Sequence, residues 1–463
     1  APLGSDTDLR MTLRWTDQPR LENPGALTAA EFAADPSQSA PANLAADARK
    51  AIEQWAGAVV VTRRLDGATG RRGDGGKSRR SAGPSLRLAV FGALRDVENP
   101  LAFGTILLDR TSGGMRSEVS LPLGGRMTPL LTAGFDAQWA RDDRRNLAPG
   151  GALVTLDQLD RTREVGPFAL ARFAPVPGWV VSAGLRYDNV HFDVEDRLLA
   201  DGDDSGGRTM ARLAPSLGVV WARGDGFEPY ASVRSSFETP TTTELANQPD
   251  GSGGLNPDLG PQTAVHWEAG ARGRAARVDW SAALFRAEVE DLLVPFEDPV
   301  APGRRFFRNA GRSRHQGVEL GVAWRPAPPL TLRAAYTLAD YSYVDYAVDG
   351  VRYDGNTVPG IPRHFLVASA EWRFRNGIGA AVEQAVTSRV EADDANSAEA
   401  DGWTATDLRL WWDGPRGTGL QPFVAVLNLF DRTYAGSVVV NAAGGRFYEP
   451  ASRRWLVAGV ALR

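Results

Sequence analysis

The chain has 463 residues, of which 52 are basic and 56 acidic, and its formal charge of -4 gives no global attraction to nucleic acid or anionic surfaces. It contains no cysteine, which excludes disulfide frameworks, thiolate metal sites and cysteine nucleophiles. No run approaches the eighteen or more apolar residues of a membrane-spanning helix, but short alternating strands can also cross a bilayer.

The opening APLGSDTDLRMTLRW shows no secretory leader and carries its first Met at Met11, so the sequence reads as the interior of a longer product. Helical periodicity is nearly absent. The best helical candidate, NPGALTAAEFAADPSQSAPANLAADARKAIEQW, is interrupted by Pro24, Pro36 and Pro41. Next comes GDGGKS at 73–78, which invites a phosphate-loop reading. Arg71 stands where the first glycine belongs, and Pro84 and the strand-like SLRLAV follow instead of a helix. A solvated turn is the expectation there.

From residue 130 the chain settles into a two-residue rhythm. In LLTAGFDAQWARDD, Leu131, Ala133, Phe135, Ala137 and Trp139 oppose Thr132, Gly134, Asp136 and Gln138. In WVVSAGLRYD, Trp179, Val181, Ala183, Leu185 and Tyr187 oppose Ser182, Gly184, Arg186 and Asp188. The loop ADGDDSGG (200–207) could suggest a calcium site, but a register from Asp201 puts Arg212 where the bidentate glutamate belongs, so an acidic surface loop is expected. AVHWEAGARG follows the same rhythm, with Val265, Trp267, Ala269 and Ala271 on one face and His266, Glu268 and Arg272 on the other. GVELGVAWRP and LTLRAAYTLADY repeat it.

Connections alternate in length. PVPG (175–178), GRAAR (273–277), RPAPPL (325–330) and RNG (375–377) are short, whereas long polar stretches fall between them. Short turns on one side and long loops on the other predict an all-β, transmembrane antiparallel β-barrel of the outer membrane, with strands of about ten residues and about eighteen of them. The 66–84 connection is long although it falls on the short side. A soluble sandwich would lack the long–short alternation.

Several stretches carry a resemblance. They are SSFETPTTTELA (235–246) followed by LNPDLGPQTAVHWEAGARG, then FFRNAGRSRHQGVELGVAW (306–324), FVAVLNLFDRTY (423–434) and the closing GGRFYEPASRRWLVAGVALR. In this order and spacing the chain resembles the C-terminal part of a TonB-dependent outer-membrane receptor of the siderophore-receptor type. The resemblance covers barrel only. It departs from the family at Gln262, where the family has Glu, and at the terminal Arg463, where such barrels end in an aromatic residue. The family barrel has twenty-two strands around a plug, so the resemblance implies that residues 1–463 are a partial barrel, with the plug and the first strands absent.

What the resemblance implies about function is energy-coupled uptake, most readily of a ferric siderophore or similar iron chelate. TonB would act through the plug domain absent from this chain. The partners implied are outer-membrane lipid and a small ligand, with no nucleic acid, and the protein would be a monomer. A plugless passive porin or channel is the alternative, and a structural or adhesive surface barrel or soluble β-protein a third reading. His191, His266, His315 and His364 show no zinc-ligand spacing, and no nucleophile elbow or acid–base pair stands out, so neither an enzyme, a cofactor nor a metal site is expected. Function then falls to the loops. Arg304, Arg305 and Arg308 beside Phe306 and Phe307, and Tyr341, Tyr343, Tyr346 and Tyr353 among acidic residues, offer charge and rigid aromatic area suited to an anionic chelate. The alternative for each is a girdle tyrosine, a solvated arginine or a lipid phosphate contact.

If the chain is short of strands, two unpaired edges would face lipid, each orphan backbone group costing several kcal/mol. The isolated 463 residues should then fail to insert as a stable monomer; a heat-modifiable monomer band from refolded protein would overturn this.

Overall fold

The computed structural model describes residues 6–462 except 66–82, 126, 223, 225 and 415–418, so GDGGKS lies outside the described residues. Eighteen strands belong to one antiparallel sheet, the number that the alternation predicts. They are β1 (Thr7–Glu22), β2 (Arg49–Arg64), β3 (Ser85–Leu101), β4 (Gly104–Pro122), β5 (Leu130–Leu147), β6 (Val154–Phe173), β7 (Trp179–Asp196), β8 (Gly206–Trp221), β9 (Phe227–Glu238), β10 (Gln262–Ala275), β11 (Val278–Glu297), β12 (Arg305–Ala327) and β13 (Leu330–Asp345). Then follow His364–Arg373, Ile378–Thr387, Trp403–Trp412, Leu420–Leu427 and Trp455–Leu462. The chain divides into two compact units, one of residues 1–23, 41–219 and 233–261, the other of 24–40, 220–232 and 262–463.

Two expectations need correction. Many strands are far longer than a bilayer requires: β12 has 23 residues and β11 has 20, where about ten suffice. The excess continues as paired ribbon past the length that a crossing needs. The alternation of connection lengths also has exceptions: on the long-loop side 148–153 is shorter than 123–129 on the other, and only Ala102 and Phe103 separate β3 from β4. These two strands have 17 and 19 residues, so the hairpin itself supplies the extra length.

In the first unit the faces of β5 and β7 divide as the sequence predicts. Trp139, Trp179, Leu185 and Tyr187 are exposed on one face. On the other, Arg116 donates to Asp136 (Nε–Oδ1 2.6 Å), and Arg186 donates to the same carboxylate at 2.7 Å and to Asp188 at 2.6 Å. The first five strands also align Asp17, Glu53, Asp96, Asp109 and Asp143 as successive cross-strand partners.

In the second unit the register sets Ala269, Leu284, Val318 and Leu338 across four strands, and beside them Ala271, Ala282, Leu320 and Tyr336. Leu284 is 61% exposed and Trp324 46%. Leaving such side chains in water forgoes about 1.5–3 kcal/mol each, so this face requires an apolar medium. The opposite face is polar: Tyr230 donates to Glu268 at 2.8 Å, Arg272 to Glu228 at 2.9 Å, and Arg333 to Glu371 at 3.3 Å.

Strand glycines admit rings from neighbouring strands. A Cβ on Gly317 would lie 2.0 Å from the Leu338 carbonyl oxygen and 2.6 Å from Phe285 Cζ, and one on Gly270 would lie 2.8 Å from the Tyr230 ring. The missing side chain is filled by an aromatic one, which repairs the weakness of glycine in a strand. Gly317→Ala should therefore destabilise by about 1–3 kcal/mol, whereas Gly206→Ala, with nothing within 4 Å of its Cβ position, should be near neutral. Urea unfolding midpoints in detergent micelles check both.

Candidate functional site

The ends of β11, β12 and β13, with the loop after β13 and residues 388–402 and 428–454, gather in the second unit around one carboxylate. Asp394 is 6% exposed. Tyr343 and Tyr346, both nearly fully buried, donate their hydroxyls to it at 2.7 and 3.0 Å. Asn441 donates Nδ2–H to the same carboxylate at 3.0 Å and accepts from the Asp394 amide at 2.9 Å. Asn356 donates to the Asp394 carbonyl at 2.8 Å. A buried charge is tolerated when several donors converge on it, and here they do. Burial first, and the Asp394 charge second, push the Tyr346 phenol up, so it remains a donor.

Packed on this carboxylate is an apolar cluster of Val294, Ala310, Tyr343, Tyr346 and Val358, flanked by Tyr341 and Tyr353. Four of the seven candidate residues thus meet in one place. Tyr343 and Tyr346 turn inward and act on the wall of the cluster. Tyr353 lies against Tyr346 with ring centroids 5.5 Å apart, and Tyr341 stacks on His315 at 4.2 Å. The Arg308 guanidinium lies 3.7 Å above the Phe296 ring, and its buried Nε has no acceptor among the described residues. Arg304 sits 5.0 Å over Phe306, where burial lowers its pKa. Arg305 stands apart, exposed and opposite Glu297 in the β11–β12 register.

Sequence reasoning missed Asp394 and Asn441. Asp394 is one of several acids in EADDANSAEADGW, and nothing in that composition singles it out. Asn441 takes a φ of 53°, a left-handed conformation that asparagine adopts more readily than most residues, but only the fold reveals it.

The motif stretches prove to be loop anchors. In FETPTTTELA, Thr241 and Glu244 form a capping box on the short helix Thr242–Ala246. Thr242 then donates to buried Asp142, and Thr243 accepts from buried Arg144 at 2.8 Å. Arg110 pairs with Asp142 (Nε–Oδ1 2.6 Å), Arg144 with Asp160 at 3.1 Å. The turn NPDLGP is gripped by Arg208, which donates to the carbonyls of Asn256, Pro257 and Leu259. All of this lies in the first unit. In the second, Gln262 accepts from the Leu293 amide at 3.0 Å, a task glutamine performs as well as glutamate. In NLFDRTY, Asn428 bonds Arg432 through both side-chain atoms, and Asp431 takes Arg453 in two bonds. The loop ADGDDSGG holds another loop, since Asp204 accepts from the Gly253 amide at 2.9 Å. No group of three or more metal-ligating side chains occurs among the described residues.

A family model described as TonB dependent receptor-like, beta-barrel, matches residues 3–429. Among solved structures, the ferric yersiniabactin uptake receptor FyuA from Yersinia pestis aligns at TM-score 0.73 and 16% identity, covering 100% of this chain and 69% of that one. The siderophore receptor PiuA from Acinetobacter baumannii aligns at 0.76 and 13%, covering 99% and 72%. The copper transporter OprC aligns at 0.68 and 14%, covering 90% and 66%. At such identities the likeness concerns the fold.

Two loop carboxylates carry a pH signature. Arg453 holds Asp431 well below its ordinary 3.8, and the Thr28 amide and Arg446 hold Glu31 below its ordinary 4.5. A depressed folded pKa contributes stability above the unfolded value and loses it as pH falls. Hydrogen exchange in 428–454 should therefore be faster in Asp431→Asn than in the parent at neutral pH. That gap should begin to narrow below about pH 4 and keep shrinking as pH falls towards the depressed folded pKa; a gap unchanged between neutral pH and about pH 2 would contradict the assignment.

Proposed function

The chain belongs to the TonB-dependent receptor family, bacterial outer-membrane transporters rather than enzymes, and from that premise we propose that its cargo is a ferric siderophore or comparable anionic iron chelate. The observation that carries this reading is the pair of arginines clamped on phenyl rings beside the tyrosine cluster. A guanidinium resting on an aromatic face is partly stripped of water, so its charge acts strongly on an arriving anion. Carboxylate or catecholate oxygens on a chelate would receive two parallel hydrogen bonds from such a group.

In this reading Arg308 and Arg304 bind, and Tyr341 and Tyr353 supply flanking aromatic surface. Tyr343 and Tyr346 hold that surface through Asp394 and do not touch cargo. Arg305, exposed at the mouth of the β11–β12 hairpin, steers approach. Transport then follows the family's scheme: loops and plug capture a dilute ligand, and TonB, driven by the inner-membrane proton gradient, pulls on the plug to open a path. The cargo of FyuA, ferric yersiniabactin, and the siderophore specificity of PiuA agree with this choice, while OprC carries copper.

Tryptophan-fluorescence titrations of the purified protein with ferric citrate, a ferric catecholate, a ferric hydroxamate, cupric ion and cobalamin would decide. An anionic ferric chelate should bind, and Arg308→Ala should weaken it by about ten- to a hundredfold. Binding of cupric ion or cobalamin alone would sink the proposal. Uptake that persists undiminished in cells lacking TonB would favour a passive channel instead.

A further inference from the structure

The last surface loop touches more of its neighbours than any cargo-binding role requires. Asn441 reaches three ways: it donates Nδ2–H to the Pro295 carbonyl at 3.0 Å, engages Asp394 through both side-chain atoms, and donates its amide to the Ala392 carbonyl at 3.0 Å. Its carbonyl accepts from the Glu297 amide at 3.2 Å. Two residues on, the Ala443 amide donates to the Glu297 carboxylate at 3.1 Å. Arg446 then grips Glu31 through both guanidinium nitrogens at 2.9 and 2.8 Å and the Ala26 carbonyl at 3.2 Å. Tyr448 completes the set. It forms a two-bond bridge with fully buried Leu27, its ring lies 5.8 Å from Phe32, and its hydroxyl donates to the Glu399 carbonyl at 3.0 Å.

The segment is itself closed, since the Val439 amide donates to the Phe447 carbonyl at 2.8 Å. Through Asp394 it also reaches Tyr343, Tyr346 and Asn356, none of which it needs to touch directly. Its direct partners are far apart in the chain and come from the 23–48 and 388–402 connections and from the end of β11. Those contacts are mostly polar, and most involve a buried or half-buried partner. Breaking one leaves an unsatisfied group and weakens the next, which is how polar networks become cooperative.

We infer that residues 439–448 are a fastener: they tie the segments 24–34, 293–297, 343–361 and 390–400 into one body that opens as a unit. Access past these loops is then released by a single event centred on Asn441 and Asp394, and not by loops that move independently. The inference holds whatever the cargo and does not depend on the arginines.

The test is hydrogen exchange on the full chain in detergent micelles, comparing the parent with Asn441→Gly. Glycine accepts the left-handed backbone at this position, so the variant deletes the side chain without straining the main chain. Exchange should rise at least about tenfold in 24–34, 293–297, 343–361, 390–400 and 439–448 together, while amides of 316–324 stay unchanged. A rise confined to the immediate partners of Asn441, with the Leu27 amide and the 353–358 amides unaffected, would overturn the inference. Should that variant fail to fold, Tyr343→Phe/Tyr346→Phe removes only two hydroxyls. The same joint rise, now including 439–448 and Leu27, is expected from it, and its absence would equally count against the fastener.

Discussion

A chain that crosses lipid has no water with which to pair its backbone, so every N–H and C=O in the crossing must find a partner within protein. The eighteen-stranded sheet is the answer this chain gives, and the rest follows from it. Once hairpin neighbours are paired, side chains are committed by parity to one face or the other, and a shift by a single residue would exchange them wholesale. Hence Leu284 and Trp324 can lie bare on one face while Glu268, Arg272 and Arg333 form ion pairs and hydrogen bonds on the other. The glycines under aromatic rings serve the same end, because they let strands approach without leaving a gap in either face.

Where the strands leave the membrane the rules invert. The loop clusters are stitched by buried charge: Asp394 under two tyrosines, and separately Asp142 and Asp160 with their arginines. Such groups are poor sources of net stability, since desolvation offsets most of the attraction, but they penalise every arrangement that leaves one of them unpaired. They therefore select one loop conformation out of many. For a protein that must present a defined surface to a dilute solute, that selectivity matters more than a few kcal/mol of strength.

The sheet was legible in the sequence because its signal is a local one. Alternation over a single strand is enough to assign Trp179, Leu185 and Asp136 to their faces, and a count of such stretches gives the strand number. Strand length was not legible, because the pairing of β11 with β12 continues through residues such as Arg305 and Asn309 that read as loop. The site was legible in part. Tyrosines and arginines announce themselves by type, but the burial of Tyr343 and the stacking of Arg308 on Phe296 depend on which distant acid or ring arrives opposite. Asp394 and Asn441 come from connections with no distinctive pattern of their own, and only the folded chain brings them together.

The row formed by Asp17, Glu53, Asp96, Asp109 and Asp143 runs across five strands, two of which also carry the ion pairs Arg110–Asp142 and Arg116–Asp136. Like charges placed directly opposite repel across each strand pair, and among the described residues only Asp143 has a cation at hand, Arg197 at 3.0 Å. Dissolved electrolyte weakens repulsion as readily as attraction, over a screening length of about 8 Å at physiological ionic strength. Salt thus steadies this acidic row while it weakens an exposed pair such as Arg116–Asp136 beside it, so brine and fresh water favour different parts of the same strands.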